Sequence, residues 1–441
     1  MLAFGSFCLL FNMYCENKIF AEPVKYATLN DPKLKVEVVF SGINFPTSMA
    51  FLGPDDILVL EKNNGTVQRI VNGTLLPKPI LDVNVANEGE RGMLGIAIAK
   101  HENNSPYVLL YYTESVNVDG DDLDEGLLPI GNRLYRYELV DNSLINPKLL
   151  LDLPVTRAPS HNGGKIVIGP DENIYLVTGD LDAPRTRSQN LKNGSNPDGS
   201  SGILYLRLDG SVVNPLIGIK DPLNKYYAYG LRNSFGLAFD PITGKLWDTE
   251  NGPGYGDEIN LVEPSFNSGW IMVQGIWKSP VGGPFYTRGD IAMNPSRSLT
   301  YFDGKGKYSS PEFTWERTVG PTGITFLSSN RLGSNYENDL FVGDFHNGNI
   351  YHFDLDKKRT GLLLKGQLAD KLANNTSELK QVTFAKGFGG ITDIQVGPDG
   401  NLYVLAIGSG GQDCSVIKNP TDRCISYKSE MQGSIFRIRS R

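Results

Sequence analysis

Histidine and cysteine are scarce, four of each in 441 residues. No Cys-x-x-Cys pair and no two histidines four positions apart occur, which excludes zinc ribbons, thioredoxin-like redox chemistry and the helical metalloprotease motif. Excess positive charge is also missing. Lys and Arg number 42 against 49 Asp and Glu, a formal net charge of −7. That balance argues against nucleic acid and against anionic membranes as partners. No apolar run is long enough to span a bilayer. Outside the first residues no segment of useful length repeats with a 3.6-residue period, so βαβ folds are excluded.

What is plentiful is β-forming. The chain is 40% hydrophobic, with 49 Gly, 26 Pro, 20 Tyr and 20 Phe, the composition of an all-β protein with many turns. Residues 2–13 are apolar except for Gly5, Ser6 and Asn12, and Phe20-Ala21-Glu22-Pro23 follows. This is the pattern of a signal peptide over residues 1–21, which predicts export and no membrane insertion after its removal. Cys8 and Cys15 fall in that leader. Cys414 and Cys424 remain, ten positions apart, and read as one disulfide in an oxidising compartment, two free surface thiols being the alternative.

The chain repeats itself. An apolar strand, a turn with Pro and Asp or Gly, and a second apolar strand recur at 49–60, 165–177, 236–247 and 394–405. Looser copies lie at 94–112 and 323–342, and a third strand follows at 66–71, 133–139, 202–208, 349–355 and 433–438. Single hairpins cannot protect their own edges, and radial repetition can. The expectation is a six-bladed β-propeller of mainly four-stranded antiparallel blades, one domain from residue 38 to 441. A two-sheet sandwich, with fewer and longer strands, is the runner-up.

In a propeller, chemistry sits on loops at one end of the central channel. His161 lies in Ser160-His-Asn-Gly-Gly164 at the entrance of a repeated strand, whose partner ends in Thr178-Gly-Asp180. Antiparallel pairing returns Asp180 beside His161, a carboxylate to orient an imidazole general base. Arg232 and Asn233 stand at another strand entrance, where an arginine can neutralise a carboxylate or a developing oxyanion, or form a structural salt bridge. The segment from Thr249 to Asn260 offers backbone carbonyls in a Gly/Pro loop and the adjacent carboxylates Asp257 and Glu258, hard oxygen ligands suited to calcium. His101 and His352 read as structural or surface residues. Trp277 and Tyr286, in the insertion 274–298, can stack on a sugar ring or simply cover the channel.

Four segments carry a resemblance: Glu90-Arg-Gly-Met-Leu-Gly95; His161-Asn-Gly-Gly-Lys165 with Gly179-Asp180; Gly230-Leu-Arg-Asn-Ser-Phe-Gly-Leu237; and 249–270. They resemble the soluble glucose/sorbosone dehydrogenases, propellers that use pyrroloquinoline quinone (PQQ) and Ca2+ to oxidise sugars and pass the electrons to an external acceptor. The resemblance implies that His161 takes the proton of the sugar C1 hydroxyl, supported by Asp180. By the same resemblance Arg232, Asn233, Glu90 and Thr318 contact the cofactor. The carbonyls of Gly252 and Pro253 match ligands of the cofactor calcium, and Asp257 and Glu258 match a second, structural calcium site. Two departures stand out. His346 occupies the place of the family's cofactor-binding lysine, and Gly390 and Thr392 replace two arginines ahead of Asp393. A calcium-stabilised propeller that has lost PQQ and binds carbohydrate or protein is therefore the alternative function.

Overall fold

In the computed structural model, residues 27–100, 105–120, 128–279, 288–292, 298–408 and 432–441 are described. The expected leader, His101, Tyr286 and the Cys414–Cys424 pair lie outside them. Three of the repeated turns are built by their own side chains. The Asp171, Asp240 and Asp399 carboxylates accept the N–H two residues on, from Asn173, Ile242 and Asn401. Gly244 and Gly400, at φ 67° and 79°, close two of these turns in the left-handed region. A tyrosine from the second strand then clamps the turn: Tyr175 donates to Asp171 and Tyr403 to Asp399, at 3.1 and 3.0 Å. All of these contacts lie within a few residues of one another, so they require no distant partner.

The hairpins grow into sheets. The first runs through Pro46–Gly53, Asp56–Glu61 and Thr66–Val71, with the short strands Thr74–Leu75 and Leu81–Asp82. The second joins Met93–Ala99, Tyr107–Glu114, Gly131–Val140 and Ser143–Leu153. In the third, Ile166–Ile168, Ile174–Thr178, Gly202–Leu206 and Tyr226–Tyr229 are antiparallel. The fourth comprises Ser234–Phe239, Leu246–Glu250, Tyr255–Val262 and Phe313–Arg317; the fifth, Pro321–Phe326, Leu340–Asp344, Ile350–Phe353 and Thr383–Lys386. The last sheet pairs Gly390–Val396, Leu402–Ile407 and Gln432–Ser440 with Leu34–Asn44, so an N-terminal strand zips onto the C-terminal one.

The first strand of each sheet packs against the first strand of the next, and Gly390–Val396 returns to Pro46–Gly53, closing a ring. The fold is an all-β propeller. Aromatic residues fill the wedges between sheets. Trp247, Phe313, Trp315, Phe326, Tyr351 and Phe353 form one such cluster, where truncating one large ring costs about 3–5 kcal/mol.

Two features depart from the expected pattern. Several sheets gain short outer strands, some of them parallel: Phe266–Asn267 and Lys307–Tyr308 on the third, Leu372–Ala373 on the fourth. Among the described residues one α-helix forms, Thr376–Val382. Seven residues are too few to show a helical period in sequence, and the helix starts because the Asn375 side chain accepts from the N–H groups of Ser377 and Glu378. Among the described residues no helix is long and apolar enough to cross a membrane.

Candidate functional site

His161 and Asp180 meet as the antiparallel pairing predicts. The ladder between Ile166–Ile168 and Ile174–Thr178 continues outward through Gly164 N–H to Val177 O and Leu181 N–H to His161 O. It places His161 Nδ1 2.6 Å from Asp180 Oδ1. Gly179 is required there, because a Cβ on it would lie 2.1 Å from the His161 carbonyl oxygen. His161 itself is held at φ 61°, a sparsely populated region for a side-chain-bearing residue.

Asp180 is 1% exposed. Its Oδ2 accepts the Trp270 indole N–H at 2.6 Å, its Oδ1 the Asp182 N–H at 2.8 Å. Burial pushes this carboxyl up, but the His161 bond, the His161 and Arg232 charges and the Trp270 donor outweigh it and hold the group below the usual range. An ionised acceptor at Nδ1 keeps the proton on that nitrogen and leaves Nε2 as the basic atom. Nε2 has no partner among the described residues.

A second layer surrounds the dyad. Glu90 Oε2 accepts the His161 backbone N–H at 2.7 Å and the Asn233 amide at 2.9 Å. The Asn233 Oδ1 is buried without a partner. The Arg232 Nη1 donates to the Asn251 and Gly252 carbonyls, 2.9 and 3.2 Å away, and the guanidinium lies over the Trp270 ring. Lys62, which the sequence did not single out, is buried behind Glu90 and donates to Asn63 Oδ1 and Asn87 O. Burial lowers this lysine to about 7, against the pull of the Glu90 charge.

Lys165 is taken. Its Nζ makes a buried 2.6 Å ion pair with Asp393 Oδ1. The two residues belong to the third and last sheets, which are not neighbours in the ring, so the pair crosses the channel. Gly390 is spent on the ladder with Ile407, and the Thr392 hydroxyl donates to Leu405 O. No cation replaces the family arginines at those two positions.

The Gly252 loop and residues 318–320 are drawn together by Asp257, whose oxygens accept the N–H groups of Gly252, Val319 and Gly320 at 2.7–2.8 Å. Thr318 thus lies beside the Gly252 loop. The His346 ring packs on Gly320, and the His346 backbone N–H donates to Val319 O. Trp277 is 5% exposed, packed on Tyr255 and Arg288, and so is not an open stacking platform.

Asp257 and Glu258 do not share a site. They are consecutive in a strand and face opposite sides. Asp257, pushed by burial to about 6, is filled by backbone donors. On the Glu258 side, register pairs Asp248 with Asn260 and Glu250 with Glu258, so four polar side chains share one buried face. Glu258 Oε1 accepts from Gln274 and from the Gly275 N–H. Both Asp248 oxygens, the Asn260 amide, Gln274 Oε1 and Thr314 Oγ1 have no hydrogen-bond partner. Burial, then the Glu250 charge, drives Asp248 and Glu258 well above the usual carboxylate range. Fully buried acceptors left over in one place are what a hard cation needs. The signal was legible as carboxylates alternating at 248 and 250 in the strand Leu246–Glu250.

The chain is similar to known proteins along most of its length. The chain is 26% identical to quinoprotein glucose dehydrogenase B of Acinetobacter calcoaceticus over 90% of its own length and 92% of that protein. It is 25% identical to the aldose sugar dehydrogenase YliI of Escherichia coli, over 86% and 91% of the two chains. The crystal structure of an oxidoreductase of Thermus thermophilus, described as a glucose dehydrogenase, superposes with a TM-score of 0.66 at 25% identity, covering 92% of this chain and 99% of that one. Residues 43–414 match the model of the Glucose / Sorbosone dehydrogenase family, and the chain belongs to that family.

Proposed function

We propose that the protein is an exported quinoprotein that oxidises the C1 hydroxyl of aldose sugars to lactones and passes the electrons to an external acceptor. The observation that carries this reading is the buried His161–Asp180 pair with a free Nε2, at the loop end of a propeller of this family. We read each sheet of four strands or more as one of six blades, in a single unit over residues 38–441 to which residues 34–37 add the start of the closing strand. A leader over 1–21 and a Cys414–Cys424 disulfide belong to the same proposal.

The residues fit an anionic cofactor on its reactive side. The Arg232 guanidinium and the Lys62 side-chain nitrogen donate only to neutral oxygens, so neither head group is hydrogen-bonded to a carboxylate. Arg232, Asn233, Glu90, Thr318 and His346 would line the cofactor. The carbonyls of Gly252 and Pro253 would hold its calcium, and Asp248 and Glu258, with Asn260 and Gln274, a structural one. PQQ, when bound, supplies the hydride acceptor that calcium polarises.

The protein's own part is proton management. His161 Nε2 takes the C1 hydroxyl proton as C1 becomes a carbonyl carbon. Asp180 stabilises the resulting imidazolium, and Trp270 keeps its carboxylate from turning away. Glu90, bonded to the His161 N–H, fixes the backbone that aims the ring. Such a positioned base contributes about 10²–10⁴-fold.

One observation favours the alternative, a propeller that binds carbohydrate or protein without PQQ: Lys165 is consumed by Asp393, and the positions of the two family arginines hold no charge. Titration of the calcium-loaded protein with PQQ decides between them, followed by absorbance and by dye reduction with aldoses. Stoichiometric binding with sugar-dependent reduction, lost in His161→Ala at unchanged melting temperature, supports the dehydrogenase. Absence of binding at tens of micromolar cofactor favours the binding module.

A further inference from the structure

The carboxylate of Glu250 reaches neither His161 nor Asp180, yet both segments that grip Asp180 hang from it. Its Oε1 accepts the backbone N–H of Arg232 at 2.6 Å, and its Oε2 accepts the Ser268 hydroxyl at 2.5 Å. The carbonyl of that same Arg232 accepts the Asp180 backbone N–H at 2.8 Å. Two residues beyond Ser268, the Trp270 indole donates to Asp180 Oδ2. One fully buried carboxylate therefore ties the 231–233 loop to the 268–270 segment, and Asp180 is held between them, main chain by one and side chain by the other.

The arrangement closes into a loop of short hydrogen bonds: Glu250, Arg232, Asp180, Trp270, Ser268 and back to Glu250. Three parts of the fold meet in it. Asp180 follows a third-sheet strand that ends at Thr178, Glu250 ends one fourth-sheet strand and Arg232 precedes another, and Ser268 to Trp270 follow a short outer strand of the third. Both Glu250 oxygens have hydrogen-bond partners, which separates it from Asp248 on the same face.

We propose that Glu250 is a positioning residue for the His161–Asp180 pair, setting the place of the Asp180 carboxylate through the Arg232 main chain and the Ser268–Trp270 segment without touching substrate. The inference rests on His161 being the base. What Glu250 supplies is two acceptors on one rigid group. A glutamine retains the geometry, since its oxygen accepts from Arg232 N–H and its amide donates to Ser268 Oγ. An alanine removes both bonds and orphans the buried Arg232 N–H. Displacing a catalytic group by about 1 Å costs about 10²-fold in turnover.

The test compares Glu250→Ala, Glu250→Gln and Ser268→Ala with the full-length protein. Two proton resonances report on the pair without any turnover: the downfield His161 Nδ1–H, assigned by its loss in His161→Ala, and the Trp270 indole N–H, assigned by its loss in Trp270→Phe. Glu250→Ala should broaden both and lower kcat about 10²-fold with little change in KM. Ser268→Ala should speed indole N–H exchange and lower kcat about tenfold, and Glu250→Gln should stay near wild type. Ser268→Ala removes one small hydroxyl, so it decides the matter if Glu250→Ala fails to fold. Unmoved resonances in a folded Ser268→Ala or Glu250→Ala protein overturn the proposal, as does a Glu250→Gln protein as impaired as Glu250→Ala. A wild-type protein that oxidises no sugar defeats the dehydrogenase reading alone, because the resonances still report on Glu250.

Discussion

Replacing Asp393 by alanine should destabilise the protein far more than replacing its partner Lys165 by methionine. The two charges are 1% and 9% exposed and 2.6 Å apart. Asp393 has other donors: Ser48 Oγ at 3.0 Å, Met49 N–H at 3.1 Å and Gln395 Nε2 at 2.9 Å. Lys165→Met removes the counter-charge but leaves those three bonds, and a loss of about 1.5–3 kcal/mol is expected, the value of one hydrogen bond to a charged group. Asp393→Ala strands a buried ammonium, at about 3–5 kcal/mol, and orphans the Met49 N–H as well. It also unpins the last sheet from the first and third at once. The double variant Lys165→Met/Asp393→Ala should cost less than the sum of the single changes by about 2 kcal/mol or more, since removing the second charge relieves the uncompensated burial that either single change leaves. Urea denaturation of the four proteins at pH 7 measures this, with equal slopes required for the comparison. Equal losses from both single variants, or a strictly additive double variant, would refute the reasoning.

Three further outcomes are expected. Asp180→Asn keeps the shape of the pair but lets the Asn amide donate, which moves the imidazole proton to Nε2; turnover should fall about 10³–10⁴-fold, and a fall of less than tenfold would count against the assigned tautomer. Asp344 is pushed up to about 6, chiefly by burial, with the Tyr351 hydroxyl and the Asn347 donors opposing. A raised acid contributes stability that is complete below its unfolded value near 3.9 and is lost as pH rises through about 6. Between pH 5 and 8 the wild type should therefore lose about 1.4 kcal/mol that Asp344→Asn does not lose, measured as the difference between their unfolding free energies at the two pH values. Finally, Ca2+ should raise the melting temperature of the chelator-treated protein, and Asp248→Asn should abolish most of that rise; an equal response in both would remove Asp248 from the cation site.

Much of the candidate site was legible because its parts are close in the chain or joined by one hairpin. His161 and Asp180 lie 19 residues apart, and the ladder between two adjacent strands is enough to bring them together. The turns are equally local, each Asp bonding its own backbone two residues on. The calcium expectation at Asp257 and Glu258 was less secure, because the segment looked like loop. The strand in fact starts at Tyr255, and once residues 255–262 are extended the two carboxylates must point to opposite faces.

The amino-acid sequence by itself determined the hairpins, their turn chemistry and the first contact of the dyad. Hydrogen bonds within a few residues and the two-residue alternation of a strand require no distant partner. Only the tertiary structure decided what surrounds that dyad. Trp270 reaches Asp180 across 90 residues, Asn233 reaches Glu90 across 143, and Lys165 reaches Asp393 across 228. Those pairings exist because closing the ring brings loops from different sheets to one end and desolvates them together. In that dry interior, how each buried charge is neutralised, by an ion pair, by carbonyls or by its own protonation, follows from neighbours that no local pattern names.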